Sequence, residues 1–217
     1  GSEMCIRDSN NLINEVYEGK LSQKESEMRA LRAQINPHFL YNSLSLINWK
    51  AIEYGQDDIS GITLALSNYY RTSLNKGKNT LTVKQELSNM ESYLNIQQIM
   101  HDNSFDVVMD IDENVLEYES LNLILQPLVE NAIEHGIDLL TDRRGVITVA
   151  AKLYNGLIHI DVKDNGIGMP KETAHTFLTS ESGGYGARNV NDRIRLFYGE
   201  QYNLKVSSDE NGTVITI

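Results

Sequence analysis

The 217-residue chain has one cysteine, three prolines and one tryptophan, and no apolar run long enough to cross a bilayer. Cys5 cannot form a disulfide within the chain, which suits a reducing compartment and points to the cytosol. A spanning helix needs about 18 or more consecutive apolar residues, so a soluble fragment is expected. Positive charge is also scarce: 19 Lys and Arg stand against 30 Asp and Glu, a net charge of -11. Such a surface repels nucleic acid and anionic lipid, so no nucleic-acid partner is expected. The low proline count and the lack of low-complexity tracts argue against long disordered linkers. With 41% hydrophobic residues, the chain can fill one large domain or two small ones.

What is present divides into two parts. The opening GSEMCIRDS follows no structural period, and residues 1–9 are expected to be a leader or tag. From Asn10 to Tyr54 the pattern is helical, with Met28, Leu31, Ile35, His38, Asn42 and Trp49 recurring at spacings of three, four and seven. Pro37 removes a backbone donor and predicts a bend or restart at Asn36–His38. A turn at Gly55–Asp58 leads to a second amphipathic stretch, Ile59–Asn75. Two helices alone leave an apolar stripe uncovered. Pairing with a second copy would complete a four-helix bundle, so a homodimer is expected. NKGKN at 75–79 is the candidate boundary, giving a helical domain at 10–80 and a second domain at 81–217.

In the second part a helix is predicted from Thr82 to His101, with Glu86 near its capping position. Phe105–Ile111 alternates as a strand. A helix over Ser120–Gly136 is expected to end on a left-handed glycine. Val146–Tyr154 and Leu157–Asp164 flank Asn155-Gly156, the strongest hairpin signal in the chain. Residues 166–186 read as a polar loop and Ala187–Tyr198 as a helix. Asn203–Ser208 and Thr213–Ile217 form a last hairpin around Asn211-Gly212. The fold class is α+β, with helices on one face of a mixed sheet.

Several segments carry chemistry. Asn131 lies within the apolar stretch LILQPLVENAIEHG, where it is either a satisfied core amide or an oxygen ligand for a hard cation such as Mg2+. DNGIGM at 164–169 places Asp164 at a strand end, where its carboxylate can accept from an exocyclic amine, and Gly166 and Gly168 allow close approach to the main chain. The same residues are also ordinary turn formers. GGYGARNV at 183–190 opens a helix, so its free N–H groups can face phosphate oxygens, with Gly184 and Gly186 leaving room. Far upstream, QINPHFLYN sets His38 directly after Pro37. His101, His159 and His175 lack paired ligand spacing and read as surface or loop residues, so no zinc site is expected. Tyr69, Tyr70 and Tyr93 read as packing residues.

Taken in order, QPLVENAIEHG, DNGIGM and GGYGARNV resemble the N, G1 and G2 boxes of the histidine-kinase-like (Bergerat, GHKL-type) ATPase fold. LRAQINPHFLYN resembles the phosphoacceptor box of sensor histidine kinases of the YesM and LytS type. The resemblance runs from about Leu21 to the C-terminus. It implies a helical-hairpin dimerisation and phosphoacceptor region followed by an α/β sandwich that binds ATP and Mg2+. It makes His38 the phosphorylated residue, Asn131 the Mg2+ ligand and Asp164 the adenine reader. His135 would line the nucleotide, and Gly166, Gly168, Gly184 and Gly186 would shape the pocket and its lid. A response-regulator receiver domain is the implied partner. The implied whole protein is a two-component signal transducer whose membrane-anchored sensor precedes this core on the cytoplasmic side of the bacterial membrane.

The chain departs from the family pattern at two positions. Ala187 stands where leucine often follows the second glycine of the last box, and Phe39 follows His38 where other histidine kinases carry an acidic residue. No general base is therefore identified, and Glu53 and Glu130 are the candidates. Because the acceptor and the pocket lie in separate domains, residues 75–81 are the expected hinge. Two other readings remain: a dimeric signalling module that binds nucleotide without transferring phosphate, and an ATP hydrolase of the same fold. Pro127, one turn before Asn131, cannot activate water and disfavours the second.

Overall fold

The computed structural model describes residues 37–73, 79–179 and 185–217. They fall into two compact units, one ending at Ser43 and one running from Leu44 to Ile217. Helix α1 (Pro37–Glu53) begins on proline, a good first helical residue because that position has no intrahelical N–H partner. The expected bend at Asn36–His38 lies partly outside the described residues, as do the leader and the upstream helix.

In the larger unit, α1 turns at Gly55 (φ +66°) into α2 (Asp57–Ser73), whose first turn carries Asp57 and Asp58 where negative charge suits the helix dipole. Ser60 Oγ donates to Asn48 Oδ1 at 2.7 Å and ties the two helices together. Leu46, Ile47, Trp49, Ile52 and Leu64 are exposed, whereas Ile62, Leu66, Tyr69 and Tyr70 are half-buried. Strand β1 (Thr80–Thr82) pairs antiparallel with β3 (Glu119–Leu121), a small sheet absent from the expected elements. That pairing fixes residues 79–81 of the expected hinge, because the Asn122 N–H also donates to Asn79 O.

Helix α3 (Val83–Met100) starts on a capping box: Thr82 Oγ1 accepts from the Gln85 N–H, and Gln85 returns the bond. Gln85 therefore fills the capping position, and Glu86 points elsewhere. After β2 (Phe105–Ile111) and β3, the expected helix over 120–136 resolves into a strand end, a turn through Leu123 (φ +55°), α4 (Leu125–Asn131) and a π-helical turn, Ala132–Gly136. Gly136 has φ -107°, so it is not a left-handed cap.

Strands β4 (Gly145–Tyr154) and β5 (Leu157–Asp164) meet at Asn155 and Gly156, with φ +51° and +80°, the two-residue turn that twisted hairpins prefer. The expected loop over 166–186 contains a six-residue helix, α5 (Lys171–Thr176), too short to show an apolar period in the sequence. Helix α6 spans Tyr185–Tyr198. The last hairpin is β6 (Lys205–Asp209) and β7 (Gly212–Thr216), turning at Glu210-Asn211, one residue earlier than expected.

The main sheet has the order β2-β4-β5-β7-β6, with β2 and β4 parallel and the other neighbours antiparallel. Alternation puts Ile147, Val149 and Ala151 of β4 and Ile160 and Val162 of β5 into one core with Leu125, Leu128 and Val129 of α4 and Ala187, Val190 and Ile194 of α6. Each fully buried aliphatic side chain there contributes about 1.5–3 kcal/mol.

Candidate functional site

The same alternation that buries Ile160 and Val162 carries Asp164, two residues further along β5, to the core face. Its side chain is 4% exposed, and Oδ1 accepts from the Gly166 N–H at 2.8 Å and the Thr213 N–H at 3.3 Å. Burial raises its carboxyl above the ordinary 3.8, and the backbone donors of Gly166, Thr213 and Asp164 itself pull against that rise. This carboxylate lines a cleft.

That cleft is lined by Leu128, Asn131, His135, Asp164, Met169 and Phe177 among others. Gly136 and Gly168 also line it. The elements that meet there are α4 and its π turn, the ends of β5 and β7, and the segment leading into α5. Apolar walls with a few convergent polar groups are the usual make-up of a small-molecule site.

The glycines have separate local reasons. A Cβ on Gly166 would lie 2.3 Å from the Gly136 Cα, and one on Gly136 would lie 2.7 Å from Asp164 Oδ1. The two backbones therefore touch beside the carboxylate, and Gly136 serves close approach where the sequence suggested a cap. Gly168 has φ +63°, and a Cβ there would meet Asp209 O at 1.6 Å. A Cβ on Gly186 would face Pro127 at 3.0 Å, so that glycine seats α6 on α4. Gly184 lies outside the described residues. Ala187, at the departure from the family pattern, is fully buried.

Three other residues hold this geometry and escaped the sequence reading. Asn165 Oδ1 accepts from the Val146 N–H at 2.7 Å while its Nδ2 donates to Arg144 O at 3.0 Å, which fastens the turn to β4. The Arg143 guanidinium donates to Asn165 O and Gly166 O from the loop before β4. Thr213 reaches Asp164 from β7. Their partners are 19 to 49 residues away, beyond any local pattern.

Asn131 is half-buried on α4, and its Nδ2 is buried without a protein partner. His135 is exposed at the rim. His38, in the other unit, is an exposed residue in the first turn of α1, with Nδ1 3.3 Å from Asn42 Nδ2. Among the remaining histidines, His101 is not a simple surface residue: it ends α3, with Nδ1 2.8 Å from Gln97 O and Nε2 3.1 Å from the Asp138 carboxylate. His175 lies on α5 and His159 on β5, its ring edge-on to Tyr154.

Residues 26–105 match the histidine kinase family, and residues 117–217 match the family described as histidine kinase-, DNA gyrase B-, and HSP90-like ATPase. The chain is 39% identical to the sensor histidine kinase YesM of Bacillus subtilis over 216 residues, 99% of this chain and 37% of that protein. It is 33% identical to the sensor protein LytS of Staphylococcus saprophyticus over 199 residues, 89% of this chain and 33% of that one. A solved histidine kinase domain from the Erythrobacter litoralis EL346 blue-light activated histidine kinase aligns at 18% identity with a TM-score of 0.49, covering 82% of this chain and 93% of that one. The chain belongs to the histidine kinases, and within them to the sensor kinases of the YesM and LytS type. It spans about a third of the length of these curated relatives.

Proposed function

We propose that the chain is the catalytic core of a longer sensor kinase, which binds ATP in the cleft around Asp164 and phosphorylates His38. The observation that carries this reading is the convergence of Asn131, His135, Asp164 and Gly168 on one cleft, although up to 37 residues separate them in sequence. The Asp164 carboxylate is placed to accept from the adenine amine. The glycine contact at 136 and 166 keeps side chains out of the base's path.

The residues fit a cation that arrives with the phosphates. Among the described residues no group of three or more His, Cys, Asp and Glu can hold a metal by itself, and the Asn131 side chain, whose amide oxygen is a hard donor, lines the cleft. Asn131 would supply one oxygen to Mg2+, whose chemistry is to neutralise developing phosphate charge. In the transfer, a ring nitrogen of His38 forms a bond to the γ-phosphorus, the bond from that phosphorus to the β-phosphate bridge breaks, ADP leaves, and the imidazole gives up a proton. Steady hydrolysis is not part of the proposal, because Pro127 occupies the turn before Asn131 and cannot activate water.

The phosphoryl group would pass onward to an aspartate of a response-regulator receiver domain. A homodimer formed through the exposed face of α1 and α2 would cover Leu46, Ile47, Trp49 and Ile52. In the full-length protein this core would lie on the cytoplasmic side of a membrane-anchored sensor; no helix among the described residues is long and apolar enough to cross a membrane. The test is incubation of the purified protein with Mg2+ and γ-labelled ATP. Acid-labile, alkali-stable label mapping to His38 is expected; label on another residue, or none despite ATP binding, would overturn the reading.

A further inference from the structure

Glu86 is 1% exposed, yet it makes no contact of the kind its place in the first turn of α3 suggests. Its carboxylate instead crosses to the start of α4. Oε2 accepts from the Leu123 N–H at 2.9 Å, and Oε1 accepts from the Ile124 N–H at 2.7 Å and the Leu125 N–H at 2.9 Å. Helix α4 is preceded by Ile124, which has no side chain able to cap it, so Glu86 supplies from 38 residues away what a local Ser or Asp ordinarily gives.

The carbonyl side of the same turn is held by another element. Arg193 of α6 donates through Nη1 to Leu123 O at 3.2 Å and through Nη2 to Asn122 O at 2.5 Å. Leu123 sits at φ +55°, in the left-handed region that a side-chain-bearing residue occupies only where its surroundings over-determine it. Here a carboxylate takes the N–H groups and a guanidinium takes the carbonyls. The turn is gripped from both sides, and Asn131 lies at the far end of the short helix that the turn launches.

We propose that Glu86 and Arg193 are positioning residues that set the depth at which Asn131 meets a nucleotide-bound cation. The inference rests on the proposed Mg2+-ATP reading of the cleft. Neither residue lines that cleft, so they act through the placement of α4. The clamp also has a route to the rest of the chain. Glu86 rides on the helix that Thr82 caps, and Thr82 ends the strand that follows the expected hinge. Arg193 rides on the helix opened by the glycine box. Displacement of either helix would therefore act on Asn131 through α4.

The experiment compares the whole chain with Glu86→Gln and Arg193→Gln, measuring by calorimetry the binding of the β,γ-methylene analogue of ATP with and without Mg2+. Glutamine keeps the size of Glu86 but turns one acceptor into a donor facing backbone N–H groups. Outer partners of a metal ligand typically change metal-dependent affinity by 10–100-fold, so a loss of roughly tenfold is expected with Mg2+ and less than about twofold without it. Amide hydrogen exchange in the nucleotide-free protein should show lost protection at Leu123–Leu125 in Glu86→Gln. Equal losses with and without Mg2+, or an unchanged Mg2+ increment in either folded variant, would overturn the clamp. If the unsubstituted chain binds the analogue with no Mg2+ increment at all, the metal reading itself fails. The exchange data then still report on the grip at 123–125. Should Glu86→Gln not fold, Arg193→Gln decides the question with the same two isotherms.

Discussion

Tyr69 Oη donates to Gln126 Oε1 at 2.9 Å, joining the second helix of the hairpin to the helix that carries Asn131. Gln126 passes the link on, its Nε2 donating to Glu130 Oε1 at 2.6 Å, one residue before that asparagine. Tyr69 also packs against Tyr93 of α3, with ring centroids 6.5 Å apart, so its ring does the packing expected of it while its hydroxyl does something further. Removing the hydroxyl alone, in Tyr69→Phe, should cost about 1 kcal/mol of unfolding free energy in urea, the usual net worth of one hydrogen bond. A midpoint unchanged within error would show that Gln126 finds solvent as good a partner.

The Asp164 carboxyl gives a pH dependence. Burial raises it above 3.8, so the folded protein keeps that proton to higher pH than the unfolded chain does. From 3.8 up to the folded value, stability therefore falls as pH rises. Over the same interval the site gains the anionic acceptor that an exocyclic amine requires, so nucleotide affinity should climb. Asp164→Asn should abolish that acid limb and weaken neutral-pH binding by roughly tenfold to a hundredfold, the worth of a charge-assisted bond of about 1.5–3 kcal/mol. The asparagine oxygen can still accept from Gly166 and Thr213, so the fold should survive; an acid limb that persists in Asp164→Asn would assign it to another group.

Gly166→Ala is expected to be the harsher of two glycine tests at the cleft. Its new methyl would meet the Gly136 Cα at 2.3 Å, backbone against backbone, whereas a methyl on Gly186 meets the Pro127 side chain at 3.0 Å. Over-packing of the first kind costs about 1–3 kcal/mol and moves the turn away from Asp164. Thermal unfolding and nucleotide titration should both register Gly166→Ala, while Gly186→Ala should shift them less. The reverse ranking would mean that the 136–166 contact is softer than the α4–α6 contact.

At the acceptor, His38→Gln should abolish labelling by γ-labelled ATP and leave ATP affinity within about twofold, since the cleft is built without it. Asn42, 3.3 Å from the ring, holds the imidazole on the helix surface. Asn42→Ala should slow labelling by roughly fivefold, the rate equivalent of about 1 kcal/mol. A labelled His38→Gln protein would count directly against the assignment.

Much of the architecture was legible because it is local. The strands β2, β4 and β5, the Asn155-Gly156 turn and the helices around Leu66, Leu94 and Ile194 follow from periods of 2 and 3.6 and from turn chemistry. The errors share a different cause. Glu86 looked like part of its own helix's cap, yet its partners lie 37 to 39 residues away. Gly136 looked like a helix stop because glycine is common there, but its neighbours Asp164 and Gly166 arrive only with the fold. Helix α5 escaped notice since six residues hold less than two turns. In the cleft, Asp164 could be singled out as a carboxylate at a strand end and Asn131 as an amide within an apolar stretch. Arg143, Asn165 and Thr213 could not, because nothing near them in sequence reveals what they hold.

Beyond Asn131 the helix widens into a π turn, in which the Ile137 N–H donates to Ala132 O. In an α-helix, residues five apart lie about 140° apart around the axis, so Asn131 and Gly136 would look in different directions. The wider turn brings them onto one wall of the cleft. The phase of this helix is thus part of the site. Adding or deleting one residue between 132 and 135 would change which backbone meets the Asp164–Gly166 turn.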